Sequence, residues 1–595
     1  MTNPYHVDES KPWFKDGSGW PEDVPKNFEF EEMTLGQMLA NAAERWPDRK
    51  AMHFHTPTLD VTMTYRELDR HVSAFATGLH KLGLKKGDVI ALALPNSFQF
   101  VIAYYGANRI GCVPTGVNPT YQPIEVKHQL KLTGAKALVC LDALYETMVA
   151  PIIDDTDVEK LIVTNIVDLA GLGAIKKFLG KLLKKIPSGP TPATAIQFLD
   201  LLDTTPAVPA VTIEPKVDPA AYLMTGGTTG VPKAAVLTHF NLVSNATQCR
   251  LWLTKVGEGT ALIGVLPLFH SFAMTAVMNV AVNIGGWMLL FPRPPEDYED
   301  LFKVIVNHAP KEGMFLPGAE VLFQKILKHP KIKEYDFVDK LTLAISGAGP
   351  LHDYVQQPFE EITKAKLVEG YGLTESSPVI SAAPLFGQRM IGKIGLPFPG
   401  TDWCLMDVET GTKKVEELGE EHPGEIWAAG PQIMKGYLNA DEETAAEITE
   451  MDGKRWLHTG DIGYWDELGR ITICDRKKQL IKHRGFSVFP KDVESLLGMH
   501  EAVSEAAVAG LPDPEGKVGE IIKAWVVLKD DHKGKVKAEE LIAWAKDNIT
   551  HYKVPAQIEF RDELPKTLVG KILRRKLQEA DPLFKKKEKK EKKAE

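Results

Sequence analysis

Cysteine is scarce. Five occur in 595 residues (Cys112, Cys140, Cys249, Cys404 and Cys474), with no CxxC pair among them. A disulfide scaffold and cysteine-pair zinc sites are therefore excluded, and the five read as reduced core thiols of a cytoplasmic chain. Long apolar runs are missing too: none reaches the roughly 18 residues that cross a bilayer. The opening MTNPYHVDESKPWF lacks a basic start followed by an apolar core, so no secretory signal is expected. HExxH is absent, which argues against a zincin. GxSxG is absent, so Ser346 in AISGA is not a nucleophile elbow. Basic residues are in deficit, with 70 Lys and Arg against 79 Asp and Glu for a net charge of −9, and no nucleic-acid partner is expected.

What remains is an ordinary globular composition, 44% hydrophobic and 25% charged. The segment 88–119 has a β-rich apolar run, a helix-like stretch and a Gly/Pro turn. KALVCLD (136–142) and LTLAISGAGP (341–350) are further short apolar runs ending in turn residues. Strands alternating with helical patterns predict βαβ units and a mostly parallel, covered sheet. A domain boundary is expected near 474–480. Beyond it, helix-like stretches alternate with β runs such as KAWVVLK (523–529), enough for a small α+β domain.

Two segments stand apart. IKKFLGKLLKKI (175–186) places apolar residues at helical spacing and five lysines on the other face, with no acid. It reads as a basic amphipathic helix ended by Pro187, lying either on an anionic bilayer or on the protein's own surface. The tail 585–595 has seven Lys and three Glu and too little apolar content to fold.

Four segments carry chemistry. Thr225-Gly226-Gly227-Thr228-Thr229-Gly230-Val231-Pro232-Lys233 suits a polyphosphate: backbone N–H groups and hydroxyls donate, and a lysine adds charge. It is not a Walker A loop, since GK[ST] is missing, and its plain alternative is a Gly-rich turn. Gly370-Tyr371-Gly372-Leu373-Thr374-Glu375 offers a stacking ring, a hydroxyl and a hard-cation ligand, or only packing at a strand end. Asp461 with Arg476 suits ribose hydroxyls, or else marks a solvated turn with an exposed charge cluster. Lys571, after Gly570, suits a mobile charge brought to a reacting phosphate, or a basic helix start continuing into Arg574 and Arg575.

In this order the four segments resemble the adenylate-forming superfamily of acyl-CoA synthetases, peptide-synthetase adenylation domains and luciferases. The resemblance extends to Thr64-Tyr65-Arg66-Glu67-Leu68, Gly87-Asp88, Leu266-Pro267-Leu268-Phe269-His270 and Gly424-Glu425-Ile426 through Gly436-Tyr437, and covers about residues 35 to 580. It implies an α/β and α+β fold. A large N-terminal domain (1–474) would hold two stacked α/β subdomains and a distorted β-barrel. A hinge (475–482, with Lys478) would lead to a small mobile α+β lid (483–582) and a basic disordered tail (583–595).

The implied chemistry has two steps: a carboxylate and ATP give an acyl-adenylate and pyrophosphate, and the acyl group then passes to coenzyme A. Implied for ATP or AMP are Thr225, Gly226, Gly227, Thr228, Thr229, Gly230 and Lys233 at the phosphates. Gly370, Tyr371, Gly372, Gly347, Ala348 and Gly349 would lie about the adenine, and Asp461 and Arg476 at the ribose. Thr374 would contact the α-phosphate and Glu375 would bind Mg²⁺. Lys571 would serve adenylation only, and His270 would stand between acyl and nucleotide sites. Lys482, Arg484 and Gly485 would border the coenzyme A tunnel. The chain departs from the family pattern at Gly226, Ala234, Val569 and Gln479.

Phe272 and Met274 are the expected acyl-pocket residues. Their apolar neighbourhood favours an uncharged hydrophobic acid over an amino acid. With a charged tail rather than a carrier domain at the end, free coenzyme A is the expected acceptor. A medium- to long-chain fatty acid is the leading substrate. An aryl acid ligase and a non-catalytic AMP-binding protein are the alternatives. Expected partners are fatty acid, ATP and coenzyme A, an anionic membrane surface through 175–186, and a second copy in a homodimer. The expected location is cytoplasmic, peripheral on the inner membrane face.

Overall fold

In this computed structural model the described residues are 3–183, 185–225, 232–254, 256–386, 388, 390–484, 486–514, 517–548, 550–566 and 572–585. They form two compact units. Among the described residues, the first takes in the chain up to Thr225, residues 232–402 and Ala428–Leu457; the second takes in Trp403–Trp427 and the chain from His458 onward.

Two large sheets build the first unit. One has eight strands in the order Gly436–Tyr437, Lys233–Thr238, Pro219–Thr225, Val113–Gly116, Val89–Ala93, Ala135–Leu141, Lys160–Thr164 and Ile196–Gln197. Its last six are mutually parallel. The other has nine: Leu396–Pro397, Val379–Ala382, Lys366–Gly372, Leu341–Ser346, Met314–Gly318, Ala261–Gly264, Trp287–Leu290, Lys50–Thr56 and Leu59–Thr64. Parallel strands buried on both faces read as continuous apolar runs, which is why 88–119 and 341–350 were legible. Val89–Ala93, the helix Phe98–Arg109 and Val113–Gly116 fill the first of these segments as expected.

Local chemistry sets the helix starts. Thr64 Oγ1 accepts from the Glu67 N–H while the Glu67 carboxylate accepts from Thr64 N, a capping box opening Tyr65–Lys81. Such a cap stabilises a helix by about 1 kcal/mol. The next residue, Tyr65, is fully buried and its hydroxyl donates to the Ala281 and Gly286 carbonyls. The Thr-Tyr-Arg-Glu-Leu motif is thus a structural clasp. Thr238 and Asn241 form a second capping box, opening the helix His239–Trp252 just after the strand Lys233–Thr238.

The second unit has an α+β portion, as expected for the C-terminal part of the chain. Val503–Pro512, Glu520–Leu528 and Gln557–Phe560 form a three-stranded sheet. The helices Pro490–Gly498 and Ala538–Asn548 pack on it through Val493, Leu497, Leu541 and Ala545.

Two expectations are corrected. The distorted barrel is an open sheet: Asp402–Met406, Gly424–Ala429, Lys454–Trp465 and Ile448–Met451 pair in that order, with Ile471–Arg476 on Lys454–Trp465. No pairing among the described residues joins its ends, and closure requires one. The basic helix is shorter than 175–186. It spans Ala174–Leu182, after which the Lys185 and Ile186 N–H groups both donate to the Gly180 carbonyl. Ile186 folds over Gly180, where a Cβ would collide with it. The chain therefore turns back at a glycine rather than running on to Pro187.

Candidate active site

The first unit places Thr225, Gly347, Ala348, Gly349, Gly370, Tyr371 and Gly372 at the carboxyl ends of its strands, where open α/β sheets bind ligands. Thr225 ends the strand Pro219–Thr225 and pairs with Lys233 across the hairpin. Gly226, Gly227, Thr228, Thr229 and Gly230 lie outside the described residues, as do Gly485 and Lys571. Gly347, Ala348 and Gly349 follow the strand Leu341–Ser346. Ala348 has φ 66°, a left-handed conformation that a non-glycine residue adopts at a cost of about 1–3 kcal/mol. Gly370, Tyr371 and Gly372 end the neighbouring strand, and the turn Thr374–Ser376 follows. A Cβ on Gly372 would run into the Pro378 carbonyl, so only glycine fits there.

Glu375 is held from two directions. Its backbone carbonyl accepts from Met434 N at 2.8 Å, and its carboxylate Oε1 accepts from the Tyr437 hydroxyl at 2.8 Å. Tyr437 sits on the edge strand Gly436–Tyr437, which pairs with Lys233–Thr238. The Lys233 ammonium stands 5.0 Å from the Tyr437 ring centroid. Lys233, Tyr437 and Glu375 are therefore one connected group, and burial together with the Glu375 carboxylate holds the Tyr437 phenol protonated. Glu375 and the adjacent Thr374 hydroxyl are hard oxygen donors with no thiol or imidazole between them, a set that fits Mg²⁺.

His270 and Phe272 come from the segment after the strand Ala261–Gly264. His270 Nδ1 accepts from Phe272 N at 3.3 Å, and Ser271 Oγ lies 3.4 Å from Thr374 Oγ1. Loss of solvation holds the His270 imidazole below its ordinary pKa, so it is neutral at pH 7. A Cβ on Gly347 would strike the edge of the Phe272 ring, so the missing side chain makes room for it. Phe272 also lines an apolar cavity with Ala276, Val280, Ile345, Val368 and Trp252. Met274 is buried but does not line it. The segment Met274–Asn279 is a π-helix, a local irregularity often found at functional sites. Ser346 is fully buried, as its dismissal as a nucleophile requires.

The second unit holds the expected ribose pair. Asp461 and Arg476 face each other across two strands, with Arg476 Nε 2.8 Å from Asp461 Oδ1. Asp461 is buried and accepts no place in a solvated turn: Thr459 Oγ1, which accepts from Asp461 N, donates to the Ile426 carbonyl. Lys477 forms an ion pair with buried Glu425 at 2.9 Å. Lys478 lies in the 3-10 turn Lys477–Gln479 beside it. Gln479 Oε1 accepts from Arg574, whose guanidinium also binds the Glu494 carboxylate, so Arg574 is a clasp rather than a free helix-start charge. Burial pushes the Asp475 carboxyl up to about 6, although the Arg476 and Lys491 N–H groups donate to it. Lys482 donates its N–H to Glu520 at 2.9 Å, and Arg484 has φ 52°.

Sequence reasoning gave Tyr437 only as a family marker and missed its bond to Glu375. It also missed Ser271 beside Thr374, and the cavity wall formed by Ala276, Ile345 and Val368. Only the order of motifs along the chain pointed towards any of these.

The chain is similar to known proteins along most of its length. The sequence matches the family described as AMP-binding enzyme over residues 39–438, and the AMP-binding enzyme C-terminal domain over 492–571. A long-chain-fatty-acid–CoA ligase of Bacillus subtilis (strain 168) is 38% identical, covering 97% of this chain and 99% of its own. One from Yersinia pestis is 36% identical over 96% and 98%. Among solved structures, a benzoate CoA ligase from Burkholderia xenovorans LB400 is similar with a TM-score of 0.75, 25% identity and coverage of 92% of this chain and 100% of its own. The chain belongs to the AMP-binding enzyme family and carries both its main domain and its C-terminal domain.

Proposed function

We propose that this protein is an ATP-dependent fatty acyl-CoA synthetase acting on medium- to long-chain acids. The observation that carries the substrate class is the full-length likeness to long-chain-fatty-acid–CoA ligases. The small cavity against Phe272, about 30 Å³, has apolar walls, which offer nothing to a charged or polar substituent.

In the first reaction a carboxylate oxygen attacks the α-phosphorus of ATP. The bond to the β-phosphate breaks and pyrophosphate leaves with its electrons. A carboxylate is a poor electrophile because its leaving group would be oxide; the mixed anhydride has AMP as leaving group instead. Negative charge grows on phosphoryl oxygens, so donors already fixed in place lower the barrier. Thr225, Thr228, Thr229 and Lys233 would bind the phosphates, Thr374 the α-phosphate, and Tyr371 the adenine face. Mg²⁺ held by Glu375 would supply charge neutralisation at the phosphates. In the second reaction the coenzyme A thiolate attacks the acyl carbon and AMP departs. Lys478 would be the hinge about which the lid turns, so that Lys571 serves the first step and Lys482, Arg484 and Gly485 the second.

A panel of acids tests the substrate class. Pyrophosphate release with laurate and palmitate is expected to exceed that with benzoate by about 100-fold or more in kcat/KM, since burying several methylenes is worth about 0.8 kcal/mol each. Turnover of benzoates with none of laurate or palmitate would reverse the assignment in favour of an aryl acid ligase.

The helix Ala174–Leu182 supports a membrane-facing reading. Ile175, Leu179, Leu182 and Leu183 are exposed, 77% in the case of Ile175, so they are not packed on the protein's own surface. Lys176, Lys181 and Lys185 are exposed beside them. Lys181 also reaches Asp142, and Lys177 reaches Asp168, which tie the helix to the first unit. No helix among the described residues is long and apolar enough to cross a membrane. An apolar stripe edged with lysines in a chain of net charge −9 suits the surface of an anionic bilayer, where the acid substrate is dissolved. Co-sedimentation with anionic vesicles is expected, weakened by salt and by Leu182→Glu. Equal, negligible pelleting with and without anionic lipid would remove the idea.

A further inference from the structure

At the far edge of the nine-stranded sheet lies a cluster that the reaction does not use. The strand Lys50–Thr56 carries His53 and His55, two residues apart and so on one face. The strand Leu59–Thr64 pairs with it antiparallel, and its Asp60 stands directly opposite His55. His53 Nε2 and His55 Nδ1 converge on one oxygen, Asp60 Oδ1, at 2.5 and 3.0 Å. The helix Tyr298–His308 lies over this face. Its Asp300 carboxylate is 3.3 Å from His55 Nε2, and its His308 ring centroid is 4.9 Å from that of His53. Both strand histidines are buried, whereas Asp60 is exposed.

The hydrogen count of this cluster does not close on its own. His55 has a carboxylate at each ring nitrogen, and a neutral imidazole has one proton to offer. One of the two contacts therefore lacks a hydrogen unless the ring is charged. His53 brings a second nitrogen to the same Asp60 oxygen, while its own Nδ1 is buried with no hydrogen-bond partner. A cation bound by the two nitrogens and Asp60 in place of these hydrogens removes the shortage at the shared oxygen, with the exposed Asp60 side chain drawing back to make room for it. His55 then donates its remaining N–H to Asp300, the carboxylate–imidazole–metal relay that fixes ring orientation at metal sites.

We propose that His53, His55 and Asp60 bind one divalent transition-metal ion of the zinc class, with Asp300 as the residue that orients His55. The three donor atoms lie within 4.8 Å of one another. Two imidazoles and a carboxylate match zinc better than magnesium. Exposed Asp60 gives the ion a way in. The bound ion would clamp the edge hairpin to the sheet and to the helix Tyr298–His308, away from Glu375 and Lys233.

The test uses the full chain, stripped with a chelator and titrated with Co²⁺ as a spectroscopic probe, then with Zn²⁺ in competition. One equivalent of Co²⁺ is expected to bind with visible d–d absorption and to be displaced by one equivalent of Zn²⁺. Asp60→Asn, at an exposed position, should weaken binding by about 10-fold or more with an unchanged circular dichroism spectrum, and Asp300→Asn by a similar or smaller factor. Zn²⁺ should raise the thermal midpoint of the unaltered chain and not of Asp60→Asn. Failure to bind a stoichiometric ion, or equal binding by Asp60→Asn, would show a purely hydrogen-bonded clasp and overturn the assignment.

Discussion

Replacing Lys571 with alanine is expected to slow acyl-adenylate formation by about 100- to 1,000-fold, the scale of losing one fixed donor to transition-state charge. Transfer from a supplied acyl-adenylate to coenzyme A should stay within about twofold, because in the proposed mechanism the lysine serves only the first reaction. The chain on either side of its segment is anchored. Lys566 bridges to Ile572, Leu573 N donates to the Pro565 carbonyl at 2.8 Å, and Arg574 is bound to Glu494. Single-turnover assays of the two half-reactions separate the outcomes, and equal loss in both would contradict a lid that changes faces.

Glu375→Gln should be nearly as severe. The amide keeps an oxygen for the Tyr437 hydroxyl but removes the charge that a hard cation needs. Adenylation is expected to fall by about 100-fold, and the Mg²⁺ concentration for half-maximal rate to rise by about 10-fold or more. Tyr437→Phe is the discriminating control. It removes one hydrogen bond to a charged group, worth about 1.5–3 kcal/mol, yet leaves the carboxylate in place. Its Mg²⁺ dependence should be nearly unchanged. If Tyr437→Phe matched Glu375→Gln in that dependence, Glu375 would be only a positioning residue for its neighbour.

The sequence made plain those parts of the fold that local chemistry governs. Continuous apolar runs mark parallel strands, so 88–119 and 341–350 could be placed before their partners were known. The spacing of Thr64 and Glu67 is that of a capping box, and the structure has one there. The glycine-rich stretches at 347–349 and 370–372 were legible as strand ends. What stayed hidden depends on which distant elements meet. Tyr437 and Glu375 are 62 residues apart and meet because an edge strand pairs with Lys233–Thr238. The apolar cavity draws Trp252, Phe272, Ile345 and Val368 from four separate elements, each reading as ordinary core. Barrel closure is a question of strand partners, which alternation along one strand does not encode. The early end of the basic helix turns on Gly180, whose missing side chain makes room for Ile186.

The most direct test of the central claim is exchange of labelled pyrophosphate into ATP without coenzyme A. Adenylation is reversible at the enzyme, so exchange reports the first reaction alone. The account predicts exchange that depends on palmitate or laurate and on Mg²⁺, and that is lost in Glu375→Gln. No exchange with any fatty acid, in protein that still binds ATP, would contradict it and leave an AMP-binding protein without this catalysis.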